Sequence, residues 1–259
     1  MVFVLDVGNT NIKLGLYEGR TLLHSWRIAT DWNRTADEYG MVLTDLFSHV
    51  GRSPQDVEGI IISSVIPSMN YTMEHLCTYY FGIKPLMVGP GIKTGLNIKY
   101  DNPKEVGADR IVNAVAAHRK YAGPCIVVDF GTATTFGLVT EKGEFLGGCI
   151  CPGIKIATEA LVQRAAKLPK IELNFPENVV GRSTVTNMQA GVLYGYVGQV
   201  EYIIDRIKEE SGFENAKVIA TGGMADVIAK ATDHIDVVDK LLTLEGLRLV
   251  YELNQEEKA

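Results

Sequence analysis

The sequence predicts an α/β protein made of two similar domains, each built on a β-β-β-α-β-α-β core. Three observations carry this. Nearly continuous apolar runs, such as residues 59–66, read as strands buried on both faces, as in a parallel sheet covered by helices. Segments with apolar residues at helical spacing lie between them. The strand-ending triplet Asp6-Val7-Gly8 returns as Asp129-Phe130-Gly131, 123 residues later and close to half of the 259-residue chain. Solenoid repeats run to about 20–50 residues, so a period this long means a duplicated domain.

The first domain opens with an apolar run, Val2 to Leu5, that ends at Asp6-Val7-Gly8-Asn9-Thr10-Asn11. Alternation then resumes at Ile12, Leu14 and Leu16, which makes a strand, a tight polar turn and a second strand. Glu18-Gly19 turns the chain into a third strand at 21–28. Thr35 and Glu38 have capping-box spacing for a helix carrying Tyr39, Met41, Val42, Leu46 and Phe47 inward and ending near Gly51. After the buried strand at 59–66, Pro67-Ser68 opens a helix to about Phe81, and 86–88 is a short strand. Residues 89–106 form a long irregular segment, the kind that is functional or mobile inside a compact domain. It delivers Gly107-Ala108-Asp109-Arg110 to a helix over 111–121, on whose face His118 sits.

Gly123-Pro124 is the expected joint, giving domains 1–122 and 123–259. The second copy repeats the first: a buried strand from Cys125 to Val128, the turn Asp129-Phe130-Gly131-Thr132-Ala133-Thr134-Thr135, a strand to Val139, a turn at Glu141-Lys142-Gly143, and a third strand to Cys151. A helix follows at 154–166, then an irregular stretch containing Gly181-Arg182-Ser183-Thr184. A long helix spans 187–211. Gly191, Gly195 and Gly198 lie along it and lower its helix propensity; close approach of another helix, within the domain or across a dimer, would explain them. A strand at 217–220 ends at Thr221-Gly222-Gly223. The last strand is 235–238, the closing helix is 244–253, and residues 254–259 are expected to fray.

Net charge is −6, so the overall field favours neither nucleic acid nor a membrane surface. An anionic nucleotide must be held locally. No apolar segment approaches the roughly 20 residues of a membrane helix, and no basic leader precedes the first strand, so a cytoplasmic protein is expected. The four cysteines lack zinc spacing. Cys149 and Cys151 share one strand face, where burial is expected, and all four should be free thiols.

The chemistry concentrates at strand ends. Gly8 to Asn11 and Gly131 to Thr135 offer backbone amides and hydroxyls to phosphates, since glycine lets the backbone approach a ligand. Asp6 and Asp129 beside an anion make sense with cations between them. Two such turns in equivalent domains suit a polyphosphate gripped from both sides of a cleft. Gly222 and Gly223 would let a flat purine lie against the backbone. An acid in a helix's first turn, like Asp109, is favoured electrostatically in any case. Taken alone, Tyr100 equally reads as a surface loop residue, Thr184 as a helix cap and Lys13 as a solvated strand lysine.

The motifs Asp6-x-Gly8-Asn9-Thr10-x4-Gly15, Gly107-Ala108-Asp109-Arg110, Asp129 to Thr135, Gly181 to Thr184 and Thr221-Gly222-Gly223 resemble, in the same order, those of type III pantothenate kinase. That family belongs with acetate and sugar kinases, Hsp70 and actin: duplicated ribonuclease-H-like domains flanking an ATP cleft. The resemblance implies ATP-dependent phosphorylation of the primary hydroxyl of pantothenate, the first step of coenzyme A synthesis. It implies Asp109 as the base. Asp6, Val7, Gly8, Asn9, Thr10, Asn11, Lys13, Gly131, Thr132, Gly222 and Gly223 would bind ATP. Tyr100, Gly107, Ala108, Asp109, Arg110 and Thr184 would bind pantothenate, Thr184 reaching across a homodimer interface. Asp129 would hold a monovalent cation, K+ or NH4+, and Asp6 would hold Mg2+ through water. Another small-molecule kinase on this scaffold, or a non-catalytic nucleotide-binding regulator, are the competing readings.

Overall fold

A computed structural model describes residues 1–255 of the chain. In order, the elements are β1 (Val2–Val7), β2 (Asn11–Glu18), β3 (Thr21–Ala29), α1 (Ala36–His49), β4 (Gly59–Ser64), α2 (Asn70–Phe81), β5 (Leu86–Met87), β6 (Asn97–Ile98) and α3 (Ala108–Lys120). Then come β7 (Cys125–Phe130), β8 (Ala133–Val139), β9 (Glu144–Pro152), α4 (Ile154–Arg164), α5 (Thr184–Ser211), β10 (Lys217–Gly222), α6 (Ala225–Ala229), β11 (Val237–Val238) and α7 (Leu242–Leu253). By packing, the chain divides into two units: Met1–Leu96, Tyr100–Ala116 and the stretch from Leu241 onward, against Asn97–Lys99 and Ala117–Lys240.

The first unit carries a sheet of order β3-β2-β1-β4-β5, with β1 antiparallel to β2 and parallel to β4. Its elements run β-β-β-α-β-α-β as the sequence predicts. One face packs Phe3, Leu5, Ile12, Leu14, Ile60 and Ile62 against α1 and α2 through Tyr39, Leu43, Phe47, Met73, Leu76 and Phe81. The other face packs Val4, Tyr17 and Ile61 against Ala108, Val112 and Val115 of α3 and Leu244, Leu247 and Val250 of α7. With both faces covered, the strands are apolar at successive positions, as the runs at 2–5 and 59–66 implied.

The Thr35/Glu38 capping box forms as expected. Met41 does not point inward: it is 59% exposed, and Gly40 and Leu43 are buried instead. A β-carbon on Gly40 would meet the Tyr80 ring at 2.3 Å, so α2 presses against the helix face one position before Met41. Asn254 does not fray. Its Nδ2 donates to Lys93 O at 2.8 Å and its Oδ1 accepts from Lys93 N at 3.1 Å. Gln255 N donates to Glu252 O at 3.0 Å, and residues 256–259 of the expected fraying segment lie outside the described residues.

The second unit carries a sheet of order β11-β10-β7-β8-β9-β6. Its core joins Ile126, Val128, Phe136, Val218 and Ala220 to Leu193, Tyr196, Val197, Val200 and Ile204 of α5. The irregular stretch 89–106 is partly ordered by this sheet, because β6 pairs in parallel with β9, and Lys99 N donates to Phe145 O at 2.8 Å. Two residues make the strand, too short to leave a periodic signal. Cys149 and Cys151 are half-buried rather than buried, and all four cysteines are free. Gly191, Gly195 and Gly198 are exposed, and an added β-carbon would meet nothing within 4 Å at any of them. Close packing inside the domain therefore does not explain them.

Candidate active site

Within the first unit, the opening turn grows directly from β1. Asp6 is the penultimate residue of that strand and is 5% exposed. Strand register places Lys13 of β2 on one side of it and Ser63 of β4 on the other. Ser63 Oγ donates to Asp6 Oδ1 at 3.2 Å, and Lys13 Nζ lies 3.4 Å from Asp6 Oδ2. Lys13 is thus an ion-pair partner of Asp6 and not merely a solvated strand lysine. Val7 is fully buried and anchors the turn. The turn closes through Gly8 N donating to Asn11 O at 3.1 Å, which leaves Asn9 and Thr10 exposed at its tip.

Also in the first unit, α3 begins at Ala108, three residues before the predicted 111, so Asp109 and Arg110 occupy its first turn. Ala108 is held in the core beside Val4 and Ile61, which fixes that turn against the sheet. Asp109 is half-buried, and its Oδ1 accepts from Arg110 N at 2.8 Å. A β-carbon on Gly107 would fall 2.6 Å from that same Oδ1, so the glycine leaves the room the carboxylate occupies. Arg110 is 8% exposed, and its guanidinium lies 6.0 Å from the centre of the Tyr100 ring. The structure therefore brings two predicted substrate residues, Tyr100 and Arg110, into a cation–π contact.

In the second unit Asp129 is again the penultimate residue of its strand. Register places Thr135 of β8 and Thr221 of β10 beside it, the positions that Lys13 and Ser63 hold in the first unit. Thr221 is 1% exposed and its Oγ1 is buried with no hydrogen-bond partner. At the register position of Lys13 the second copy thus carries a hydroxyl, and threonines flank the second aspartate on both neighbouring strands. The turn Gly131-Thr132-Ala133 is one residue tighter than its counterpart: Gly131 N donates to Ala133 O at 3.1 Å. Gly222 has φ +92°, and Gly223 N donates to Phe130 O at 3.1 Å, so this glycine pair folds onto the end of β7.

Thr184 is the exposed first residue of α5, which starts three residues before the predicted 187. Ser183, one residue earlier, is the cap: its side chain accepts from Thr186 N at 3.2 Å. Gly181 lets the preceding turn lie against Asn187, whose Oδ1 would be 2.4 Å from an added β-carbon. Ser63 and Thr221 are the site residues that motif reading undervalued. A pair of serines at the end of an otherwise apolar strand was the available signal for the first. Among the described residues no group of three or more His, Cys, Asp or Glu side chains is placed to hold a metal ion, and no helix is long and apolar enough to cross a membrane.

A sequence model of the family described as type III pantothenate kinase matches residues 2–206. A type III pantothenate kinase of Geobacillus kaustophilus (strain HTA426) is 59% identical over 258 residues, covering 100% of both chains. Among solved structures, a Campylobacter jejuni protein assigned to a Baf family of transcriptional activators aligns with a TM-score of 0.63 at 20% identity, covering 98% of this chain and 99% of that one. A Porphyromonas gingivalis protein assigned as an N-acetylglucosamine kinase aligns with a TM-score of 0.51 at 12% identity, covering 98% and 100%. At those identities the structural likeness is one of fold.

Proposed function

The chain belongs to the type III pantothenate kinase family, and from that premise we infer how its residues phosphorylate pantothenate with ATP, the first step towards coenzyme A. The observation that carries the reading is Asp109. It is a half-buried carboxylate held over Gly107 in the first turn of α3, with Arg110 and Tyr100 in contact beside it.

Phosphoryl transfer needs in-line positioning, charge neutralisation and a group to take the acceptor's proton. Asp109 removes the proton from the primary hydroxyl of pantothenate as that oxygen forms its bond to the γ-phosphorus. The bond from γ-phosphorus to the bridging oxygen breaks, and ADP leaves. Arg110 pairs with the anionic or amide oxygens of pantothenate, and Tyr100 keeps the guanidinium in place. Gly107 and Ala108 complete this wall, and Thr184 contacts substrate from the partner protomer. Gly8 to Asn11 with Lys13, and Gly131 with Thr132, hold the phosphates, while Gly222 and Gly223 take the purine.

The divalent ion that an ATP-using kinase implies, such as Mg2+, neutralises phosphate charge. Asp6 suits it as a ligand through water, because such an ion keeps several waters and needs only one or two carboxylates. The oxygen set of Asp129, Thr135 and Thr221 suits K+ or NH4+, and the buried Thr221 hydroxyl is an acceptor in search of such a partner. Exposed Gly191, Gly195 and Gly198, with Val185 and Tyr202 exposed on the same helix, support a homodimer built on α5. Four free cysteines support a reducing, cytoplasmic setting.

The test is pantothenate-dependent ADP release, with and without potassium, alongside a panel of sugars and small hydroxy acids. ADP release that requires pantothenate is the expected result. Release that prefers another acceptor, or nucleotide binding with no acceptor-dependent turnover, would reject the substrate assignment. Sedimentation at micromolar concentration checks the homodimer.

A further inference from the structure

We propose that Thr30 is the positioning residue that sets the phosphate-facing turn of the first unit. The proposal rests on the reading of Gly8 to Asn11 as that turn. Thr30 follows directly on β3 and lies 22 residues from Gly8 in sequence. Its Oγ1 donates to Gly8 O at 2.6 Å, and its backbone N donates to Thr10 O at 3.1 Å. One residue therefore holds two carbonyls of the turn. In a planar trans peptide the C=O and the following N–H point in opposite directions. Drawing the Gly8 carbonyl back onto Thr30 turns the Asn9 N–H outward, which is the direction an anion needs.

Thr30 is itself anchored. The next residue, Asp31, donates from its N to Tyr39 Oη at 2.9 Å and accepts from that hydroxyl at its carbonyl at 3.0 Å. Tyr39 is 1% exposed in the core beneath α1. The turn is thereby connected through Thr30 to a side chain that cannot move without disturbing that core.

The second unit repeats the device with a different residue. Gly153, 123 positions after Thr30, donates from its N to Thr132 O at 3.1 Å. A β-carbon there would lie 2.2 Å from Thr132 O and 2.6 Å from Gly131 O. The backbone itself presses on the second turn, whereas the four-residue first turn needs a hydroxyl to bridge the gap. Recurrence at the repeat distance marks the strap as part of how both turns are held.

The experiment measures ATP affinity by titration, and KM and kcat for both substrates, in Thr30→Val, Thr30→Ser and Gly8→Ala, with Tm as a folding check. Losing one hydrogen bond at the turn predicts ATP affinity about tenfold weaker in Thr30→Val. The KM for pantothenate should stay unchanged, and Thr30→Ser should restore ATP binding. Gly8→Ala should also weaken ATP. Wild-type ATP affinity in Thr30→Val while Gly8→Ala is impaired would overturn the role of Thr30 alone. Wild-type affinity in both would overturn the phosphate-turn reading with it. If Thr30→Ser is as weak as Thr30→Val, the hydroxyl is not the agent and the proposal fails.

Discussion

A β-carbon on Gly222 would lie 2.6 Å from Asp129 Oδ1, so the carboxylate occupies space that only glycine leaves open. The backbone at Gly222, with φ +92°, excludes other residues for a second reason. Gly222→Ala should therefore lower stability by about 1–3 kcal/mol and push Asp129 off its position. Denaturant unfolding gives the first quantity. A rise in the potassium concentration needed for half-maximal activity reports the second.

Asp109→Asn keeps the shape of the side chain and removes its basicity. Turnover should fall by about 10²–10⁴, the size of a general-base contribution, while ATP still binds. Pre-steady-state quench kinetics with pantothenate would locate the loss in the chemical step; unchanged turnover would remove Asp109 from the base role.

The proposed potassium dependence can be tested at Thr221. Its hydroxyl is buried without a protein partner, and an unsatisfied buried hydroxyl costs about 1–3 kcal/mol. Thr221→Val should thus match or exceed the wild type in thermal stability yet need more potassium for activity. Asp129→Ala should abolish the response to potassium. Full activity of the wild type in a sodium-only buffer would refute the cation assignment.

The thiols should divide into two classes. Burial pushes the Cys77 thiol up to about 12, with Glu74 adding to the effect, and the Cys125 thiol up to about 11, against an opposing pull from Lys217. Both stay protonated and unreactive at pH 8, because the thiolate becomes abundant only near those values. Cys149 and Cys151 are half-buried on β9. Iodoacetamide labelling followed by mass spectrometry should modify this pair first and reach Cys77 and Cys125 only on unfolding.

Most of the fold was legible because strands buried on both faces cannot hide their apolar runs, and because the Asp-x-Gly turns repeat at half the chain length. The helix starts were legible less well. Asp109 and Thr184 each sit in a first helical turn that begins three residues earlier than apolar spacing suggests. First turns are polar, so periodicity begins late. The pairing of Lys13 and Ser63 with Asp6 needed strand register, which a single chain does not spell out. The contact of Tyr100 with Arg110 spans an irregular segment whose path is set by the two-residue strand β6 and by Val106 and Ala108, buried at its end. Neither leaves a pattern long enough to read.

The return of α7 to the first unit has a consequence for synthesis. Leu244, Leu247 and Val250 cover the sheet face that Val4 and Ile61 present, and Gly246 lies so close that a β-carbon would be 2.0 Å from Val112 O. A ribosome delivers Val4 some 240 residues before Leu247. Until that final helix emerges, the N-terminal sheet has one apolar face without its full cover, while the second unit has all its strands. The second unit, although made after most of the first, is therefore the first that can close completely, and β1 and β4 wait for α7.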